Sequence, residues 1–581
     1  MIIIPNNKKW IQTNTSEVLG NLWTTFNADL SDNVGRYRVS SRLPVNVSSS
    51  EDVDLGVPVA FGTVGGKKYA VAGSVMFVSG NLMPQGNFIQ DSASGTPTNL
   101  SSNTSDMKSF NGYLYVTSTA ETVYKTDGTT WSNITATGST GTPRLLLPYA
   151  DRMYMTAGNS KIISWNTSDT VVTSGAYTLD FGINADERRI TFIRASASRI
   201  WIGTINTIGG KGQIYEWDGI STQPTKSYRL EATGAISCVI KDDIPYVMDT
   251  NGSLLAWNGG AFQYLTSLNR ENKILLLGSS NGATNRRFVH PNGMAIIDNK
   301  IHMLINGVND DNTSTIEDCL PSGIYEYTPE NGLIHKHSIG LTKSNETTTD
   351  FGQIKLSQVG ALIELNITDS ASTRNGTFLA GVQAYTNASS TINIIAYDDS
   401  INSLQKGGYF ITTKIDSNEI DDVWQKVYAK IKRFTNSTDK IVVKYRTDET
   451  DPVEFTGTFT STTTFTTTTS LASFAVGDEI QIIQGLGSGK PSHITAMSLS
   501  TGTWTVTVDE TYTGATTQTF RAKIDKWTKI GSLSNQVVSY LECPIGIQAN
   551  WVQFKVWLNV TGRKQELESL VIVNQPNQRG K

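Results

Sequence analysis

Gly212-Gln213-Ile214-Tyr215-Glu216-Trp217-Asp218-Gly219 is the stretch whose reading decides the fold. Apolar and polar side chains alternate along it, the run ends on an aromatic, and Asp-Gly closes it. Such alternation marks a half-buried strand, and Asp-Gly supplies the positive φ of a tight hairpin turn. A second apolar run, Ser198-Arg199-Ile200-Trp201-Ile202-Gly203, stands just before it. The same pair of strokes recurs at Gly112-Tyr113-Leu114-Tyr115-Val116 with Val123-Tyr124-Lys125-Thr126-Asp127-Gly128 and Trp131. It returns at Arg152-Met153-Tyr154-Met155 with Ile162-Ile163-Ser164-Trp165-Asn166, and at Ile244-Pro245-Tyr246-Val247-Met248 with Leu254-Leu255-Ala256-Trp257-Asn258-Gly259. A further copy pairs Lys300-Ile301-His302-Met303-Leu304-Ile305 with Ile324-Tyr325-Glu326-Tyr327. The later copies fall at roughly 40–70-residue intervals, near the period of one four-stranded propeller blade.

One such unit cannot bury both of its faces, so the units must stack, and the Trp or Tyr beside each turn offers a large ring to pack between neighbours. Residues 53–400 are therefore expected to form a β-propeller. A first blade is read at 57–63, 69–72, 75–79 and near Phe88, and a seventh at 361–367, 377–385 and 392–397. The count is seven blades, with six and eight the alternatives. Trp165, Trp217 and Trp257 should occupy equivalent positions in their blades.

Composition agrees with an all-β chain. Of 581 residues, 38% are hydrophobic and only 17% charged, with 50 glycines. This profile suits turns and strands rather than a helical enzyme, and the length calls for about two to four domains. A net charge of −4 gives no support for a sequence-specific nucleic-acid groove. Cys238, Cys319 and Cys543 are odd in number and far apart, so neither a disulfide framework nor a metal site follows, and they read as buried thiols. The apolar burst Ile2-Ile3-Ile4 is too short for a signal peptide, and no run approaches the ~18 apolar residues of a membrane span. The expectation is synthesis in a cytoplasm combined with the composition of a surface protein, conditions a virion protein meets together.

Either side of the propeller the pattern changes. Residues 1–52 read as an arm carrying Trp10, Trp23 and Phe26, docked on its own body or on a neighbour. Residues 421–434 alternate with period two and read as a strand. With Ile441-Val442-Val443-Lys444-Tyr445-Arg446 and the runs 527–533, 551–560 and 567–573 they make a β-sandwich over 401–453 and 525–581. It is interrupted at 454–524 by an insert with the grammar of a small β-barrel. There the Thr-rich run 456–469 alternates with Phe455, Phe459 and Phe465, as a paired hairpin does.

Candidate chemistry is sparse. Lys125-Thr126-Asp127-Gly128-Thr129-Thr130-Trp131 is similar to the Asp-box turn of sialidases, one residue short, and that box is a structural turn. Arg188, Arg189 and Arg194 cluster in sequence and read as surface arginines. Asp249-Thr250-Asn251-Gly252 and the loop 309–318 hold carboxylates that could meet calcium, but without its full spacing they read as a turn and a solvated acidic loop. His335-Lys336-His337 puts two rings on one strand face without a cysteine or carboxylate partner. Val476-Gly477-Asp478-Glu479 reads as the turn into a barrel strand, and 485–489 lacks the Lys-Ser/Thr of a phosphate loop. No catalytic, cofactor-binding or metal-ligating residue is assigned.

Together these features resemble virion proteins of tailed bacteriophages. The arm Gly20-Asn21-Leu22-Trp23…Asn27-Ala28-Asp29-Leu30…Arg36-Tyr37-Arg38-Val39-Ser40 is similar to the opening of tail propeller proteins. The blades carry Tyr-x-Trp-Asp-Gly turns. The stretch from Gly408-Tyr409-Phe410 through Lys426-Val427-Tyr428 and Val443-Lys444-Tyr445-Arg446-Thr447-Asp448 resembles the sandwich that follows such propellers. The resemblance implies a non-enzymatic tail component, at a nozzle, a tail-tip ring or a fibre, serving assembly, host attachment and the DNA-ejection conduit. It implies a homo-oligomer that is assembled in the bacterial cytoplasm and joined to adaptor, fibre or tube subunits, with a host-surface glycan as a further partner. The alternative is a propeller lectin or polysaccharide depolymerase on the same virion. The arm and the sandwich are the expected contacts between copies.

Overall fold

The computed structural model describes residues 57–268, 289–305, 323–338, 358–397, 408–447 and 453–575, with short breaks inside these spans. Before residue 57 it describes five strands alone, from Ile2–Ile4 to Arg38–Val39. Every regular element described is a strand. The chain divides into two compact units, one of residues 44–309 and 357–398, the other of residues 1–43, 310–356 and 399–581.

The first unit is a ring of mainly antiparallel sheets, most of them built from strands that follow one another in the chain. The repeated stretch supplies one of them, ordered Arg188–Ala195, Ile200–Asn206, Gln213–Trp217, Lys226–Arg229. The turn after Trp217 forms as read: Gly219 has φ +82°, and the Asp218 carboxylate accepts the amides of Ile220 and Ser221. The innermost strands Pro58–Val64, Met107–Phe110, Leu146–Tyr149, Arg188–Ala195, Ala235–Lys241, Val289–Ile297 and Gln358–Glu364 touch in that order, and the last touches the first. This closure makes the unit a β-propeller. At the closing seam Phe61, Ala70 and Phe77 share a core with Ala361 and Leu379. The approach is close enough that a Cβ on Gly360 would fall 1.8 Å from the Pro58 carbonyl oxygen. The hairpin of Gly323–Thr328 with Gly332–Ser338, expected in the propeller, belongs by its contacts to the other unit.

The three tryptophans do hold equivalent places. Each ends the third strand of its sheet, Lys161–Trp165, Gln213–Trp217 and Ser253–Trp257. Each also packs on an aromatic from the second strand of the preceding sheet. Trp165 meets Tyr115 at 6.2 Å between centroids, Trp217 meets Tyr154 at 5.7 Å, and Trp257 meets Trp201 at 5.3 Å. Trp217 is fully buried and Trp257 only partly. Trp217→Ala should therefore cost about 3–5 kcal/mol and Trp257→Ala distinctly less. Equal losses in denaturant unfolding would show that ring burial is not what joins the sheets.

The second unit holds two sheets about one core. One runs Ile2–Ile4, Leu567–Gln575, Val423–Ile431, Tyr540–Gln548, and the other includes Asn21–Phe26, Gly408–Thr412, Trp551–Asn559, Lys440–Arg446 and Thr528–Leu533. Trp424, Val427 and Ile572 from the first meet Phe410, Val443, Phe554 and Val556 from the second. The arm does not stand apart: Ile2–Ile4 pairs with Leu570–Ile572, and Asn21–Phe26 pairs with Gly408–Thr412. Period two explains this, because an isolated apolar strand lowers its free energy most by completing a sheet edge. Trp10 lies outside the described residues.

Between Lys440–Arg446 and Thr528–Leu533 the chain forms a closed six-stranded barrel. Its order is Val453–Phe459, Thr464–Thr467, Thr503–Val508, Pro491–Ser500, Glu479–Gln484, Thr519–Asp525. The Thr-rich run is the paired hairpin, with Thr458 opposite Thr466 and Phe459 opposite Phe465. Phe455, Phe459 and Phe465 point inward with Phe520, and the threonines between them face out.

Candidate functional site

Two buried polar assemblies organise the described residues, one in each unit. The propeller's assembly starts from a break in a strand. His290-Pro291-Asn292-Gly293 interrupts the ladder between Val289 and Met294, because proline has no amide hydrogen to give. The resulting bulge carries Asn292 inward. Its Oδ1 accepts from Arg194 Nη2 at 3.1 Å, while its Nδ2 donates to Asp106 Oδ1 at 2.9 Å and to the Val59 carbonyl at 3.2 Å. Asp106, fully buried, also accepts the amides of Met107 and Leu146, each at 2.8 Å, and Lys108 Nζ lies 3.8 Å away. Arg194 donates further to the carbonyls of Cys238 and Pro291. One amide side chain thus ties innermost strands from several sheets and fills the space between them with matched donors and acceptors.

The second assembly lies where the barrel meets its sheet. Glu479, at the start of Glu479–Gln484, is buried between two ammonium groups, Lys444 Nζ at 2.5 Å and Lys555. Burial alone would raise the Glu479 pKa; the two lysines outweigh it and hold the carboxyl below its ordinary range. Lys444 is pulled down to about 8, first by burial, with repulsion from Lys555 partly offsetting the attraction of Glu479. Beside them Asp509 joins His493 Nδ1 at 2.9 Å and Lys529 Nζ at 3.2 Å, and Lys440 reaches Glu510 at 3.2 Å. Lysines of the sheet meet carboxylates of the barrel, so the pairs fix the barrel's orientation on it.

The residues singled out from sequence are mostly structural. Asp127 accepts the amide and hydroxyl of Thr129, and Trp131 donates to Asp91, which makes that segment a turn anchored by its indole. Arg188 and Arg194 are not free surface groups. Arg188 donates to Gln213 and Tyr215, each at 2.6 Å, and Arg194 belongs to the assembly above; Arg189 is exposed. His335 and His337 are both buried, His335 edge-on to Tyr325. Cys238 and Cys543 are buried free thiols, pushed up to about 12 by burial. Cys319 and the loop 309–318 lie outside the described residues.

Asp249 accepts the amides of Asn251 and Ser253, each at 2.8 Å, the turn expected of its sequence. Burial raises its carboxyl to about 6, against those two amides. A carboxyl raised in the folded state binds more protons than in the unfolded chain between roughly pH 4 and 6, so stability falls as pH rises through that window. Asp249→Asn keeps the acceptor and removes the charge. It should abolish this dependence and raise stability near pH 7 by an amount on the order of 2–3 kcal/mol. An unchanged pH profile of the melting midpoint would refute the assignment.

Sequence reasoning missed Asn292, Glu479, Lys444 and Lys555. Signals existed for each. Pro-Asn-Gly inside a strand pattern marks a bulge. Lys444 and Lys555 alternate with core residues on strands whose outer faces also bear Val442 and Trp557, buried with Tyr409, Ile411 and Trp527. A lysine on such a covered face must find a charge partner.

No family model matches the chain, and no curated relative does. Among solved structures, it is similar to the β-propeller domain of Cps50 (Swd1) from Myceliophteria thermophila, at 10% identity and TM-score 0.38, covering 61% of this chain and 100% of that one. It is also similar to the computationally designed Ika8 protein, at 11% identity and TM-score 0.34, covering 61% and 99% of the two chains. A third is PorZ, an essential bacterial surface component of the type-IX secretion system of Porphyromonas gingivalis. There identity is 11%, TM-score 0.34, and coverage 62% of this chain and 42% of that one. At these TM-scores the fold rests on the strand pairing itself.

Proposed function

We propose that this chain is a structural component of a bacteriophage tail, part of a nozzle, tail-tip ring or fibre attachment, with a seven-bladed propeller as one of its bodies. The observation that carries the reading is the pairing of two segments more than five hundred residues apart, Ile2–Ile4 against Leu570–Ile572, in one ladder. Its three residue pairs lie side by side and, loaded along the strands, must open together, which suits a part under mechanical load. The buried charges support the same role, since Asp106, Arg194, Glu479, Lys444 and Lys555 are committed to joining strands rather than converging on a substrate. Because Asn292 and Arg194 fill the space between innermost strands, a conduit in this reading is built between copies and not through one propeller. The copies then meet through surfaces other than Ile2–Ile4 and Asn21–Phe26, which are already paired within the chain.

Purified particles produced from the encoding genome test this. The chain should be found in them by mass spectrometry, and antibody against it should label the tail end in electron micrographs. Its absence from purified particles would overturn the proposal. New reducing ends after incubation with host-surface polysaccharide would favour a depolymerase instead.

A further inference from the structure

The six-stranded barrel is entered after Lys440–Arg446 and left at Thr528–Leu533, so two chain crossings tie it to the sheet. Its buried apolar residues form a cluster of their own. At the neck Trp527 packs with Tyr409, Ile411, Val442 and Trp557 of the sheet, and the Arg446 guanidinium lies 4.6 Å from the centre of the Trp527 ring. Beyond the neck, ion pairs cross the junction: Glu479 with Lys444 and Lys555, Asp509 with Lys529, and Glu510 with Lys440. His493 is buried behind them. Its Nδ1 lies 2.9 Å from Asp509 Oδ2, and its backbone amide donates to Asp509 Oδ1 at 2.8 Å. Its Nε2 is buried without a hydrogen-bond partner. We propose that His493 is a proton-sensitive catch, and that its protonation in mild acid lifts the barrel off the sheet as one body, with Trp527 as the pivot.

The seated barrel suits the neutral ring and opposes the charged one. Asp509 is held ionised by His493 and Lys529 against its burial, and a carboxylate only accepts, so Nδ1 carries the ring hydrogen and Nε2 a bare lone pair. A proton on Nε2 creates a buried, charged donor with no acceptor, which is the costlier arrangement. The surrounding charges add to that cost. Glu479 stands opposite His493 in the barrel ladder. With Asp509 it supplies two carboxylates against three ammonium groups, Lys444, Lys555 and Lys529, brought by three strands of the sheet. Glu510 and Lys440 offset each other. The other titratable groups nearby are turned to local partners: Asp525 accepts the Trp527 indole N–H, Asp478 accepts the Ala475 amide, and the Tyr512 hydroxyl is bonded to Ser492. A charged imidazole therefore adds to an existing excess of positive charge.

The sign of the pH effect follows. Burial holds the seated ring below its ordinary 6.5, with the Lys444 charge acting alongside and the Asp509 hydrogen bond opposing. Off the sheet the ring meets water and titrates near its ordinary value. The lifted state thus binds more protons below about pH 6.5, and lifting is favoured as pH falls. Glu479 and Asp509 are both held low while seated, so they act in the same sense, but only below the ordinary carboxylate range of about 4. The step near pH 6 belongs to His493 alone. Proton access is short: the side chains of Asp509 and Lys529 are 17% and 29% exposed, which brings water within one side chain of the imidazole.

Competitive labelling of the full chain with trace acetic anhydride reads the lifting. Lys444 and Lys555 are buried while the barrel is seated. Their labelling is taken relative to the exposed Lys226 of the same sample, which cancels the pH dependence of the reagent and of a free amine. Lys68, buried in the propeller, is the control in the other unit. Amide exchange along Val453–Phe459 and Trp551–Asn559 reports whether barrel and sheet keep their strands. The expected result is a rise in relative labelling of Lys444 and Lys555 between roughly pH 7.5 and 5.5, toward the ceiling of about tenfold that one proton sets over that interval. Lys68 and both sets of amides should stay protected. His493→Gln keeps a donor for Asp509 and takes up no proton, so its labelling should be flat over the same interval and rise only below about pH 4.5. Flat labelling in the parent protein overturns the proposal. A rise that His493→Gln leaves in place overturns it as well, and so does a rise accompanied by exchange of the barrel strands, because the barrel would then be melting rather than lifting.

Discussion

Glu479→Gln should destabilise the second unit by about 3–5 kcal/mol, the cost of breaking a buried ion pair from one side. The substitution preserves shape and removes one charge, leaving Lys444 and Lys555 facing each other in a site where both side chains are almost wholly buried. Their mutual repulsion and desolvation then have no offset. The loss should depend on pH in a defined sense. Lys444 already titrates near 8 in the intact protein, below its ordinary 10.5, and without the carboxylate it must fall further. A lysine depressed in the folded state binds fewer protons than in the unfolded chain between those two values, so stability rises with pH across that interval. The variant should regain part of its loss between neutrality and roughly pH 10. At the acid end the depressed Glu479 of the intact protein acts in the same sense: it contributes stability above the ordinary carboxylate range and loses it as pH falls. Replacing the triad together, Lys444→Met with Glu479→Leu and Lys555→Met, should come back close to the original stability, since a packed apolar cluster avoids the desolvation of three charges. Thermal unfolding followed across pH decides the matter. A Glu479→Gln midpoint equal to that of the parent would mean the triad is solvated and contributes nothing.

How much of this was legible in the sequence depended on whether the signal was local. Strand after strand was readable, because alternation and Asp-Gly turns act over a few residues. The stretch 212–219 gave both its strand and its turn, and Phe455, Phe459 and Phe465 announced a barrel hairpin by period two. The equivalence of Trp165, Trp217 and Trp257 followed from the repeat itself. The pairing of Ile2–Ile4 with Leu570–Ile572 was not legible, since nothing within reach of either segment specifies a partner more than five hundred residues away. The same limit hid the candidate sites. Asn292 matters only because Arg194, Asp106 and Val59 converge on it, and Glu479 only because two lysines from another sheet close over it. Polar residues inside a strand pattern were visible as irregularities, but their partners are supplied by topology. Arg194 shows the point most directly: read along the chain it looked like one of three surface arginines, and in the fold its guanidinium joins three elements.

Asn292→Asp should cost the propeller about 3–5 kcal/mol near neutral pH while changing almost nothing in shape. The native amide is oriented by its surroundings. Arg194 can only donate, so Oδ1 must face it, and Nδ2 is left to face the Asp106 carboxylate and the Val59 carbonyl. Replacing the amine by oxygen turns both of those contacts into acceptor against acceptor. One is an approach of 2.9 Å to a fully buried carboxylate. Arg194 gains a stronger partner on the other side, but its bond to Oδ1 exists already, so the gain is small beside two reversed contacts. The charged groups facing the site are Asp106, Lys108 and Arg194. Lys108 stands 3.8 Å from Asp106 and is already engaged by that carboxylate, and burial disfavours its charged form, so it cannot neutralise a second buried carboxylate. Two carboxyls this close retain one proton between them, which raises the apparent titration of the pair. A raised carboxyl stabilises fully below its unfolded value and less as pH climbs. The variant should therefore match the parent at roughly pH 4 and fall progressively behind it toward pH 7. Asn292→Ala separates the two contributions. It removes the native hydrogen bonds without adding charge, so its loss should be smaller, on the order of 1–3 kcal/mol, and nearly independent of pH. If Asn292→Asp and Asn292→Ala showed the same loss at every pH, the site would be open to water, and Asn292 could not be the group that closes the interior of the propeller.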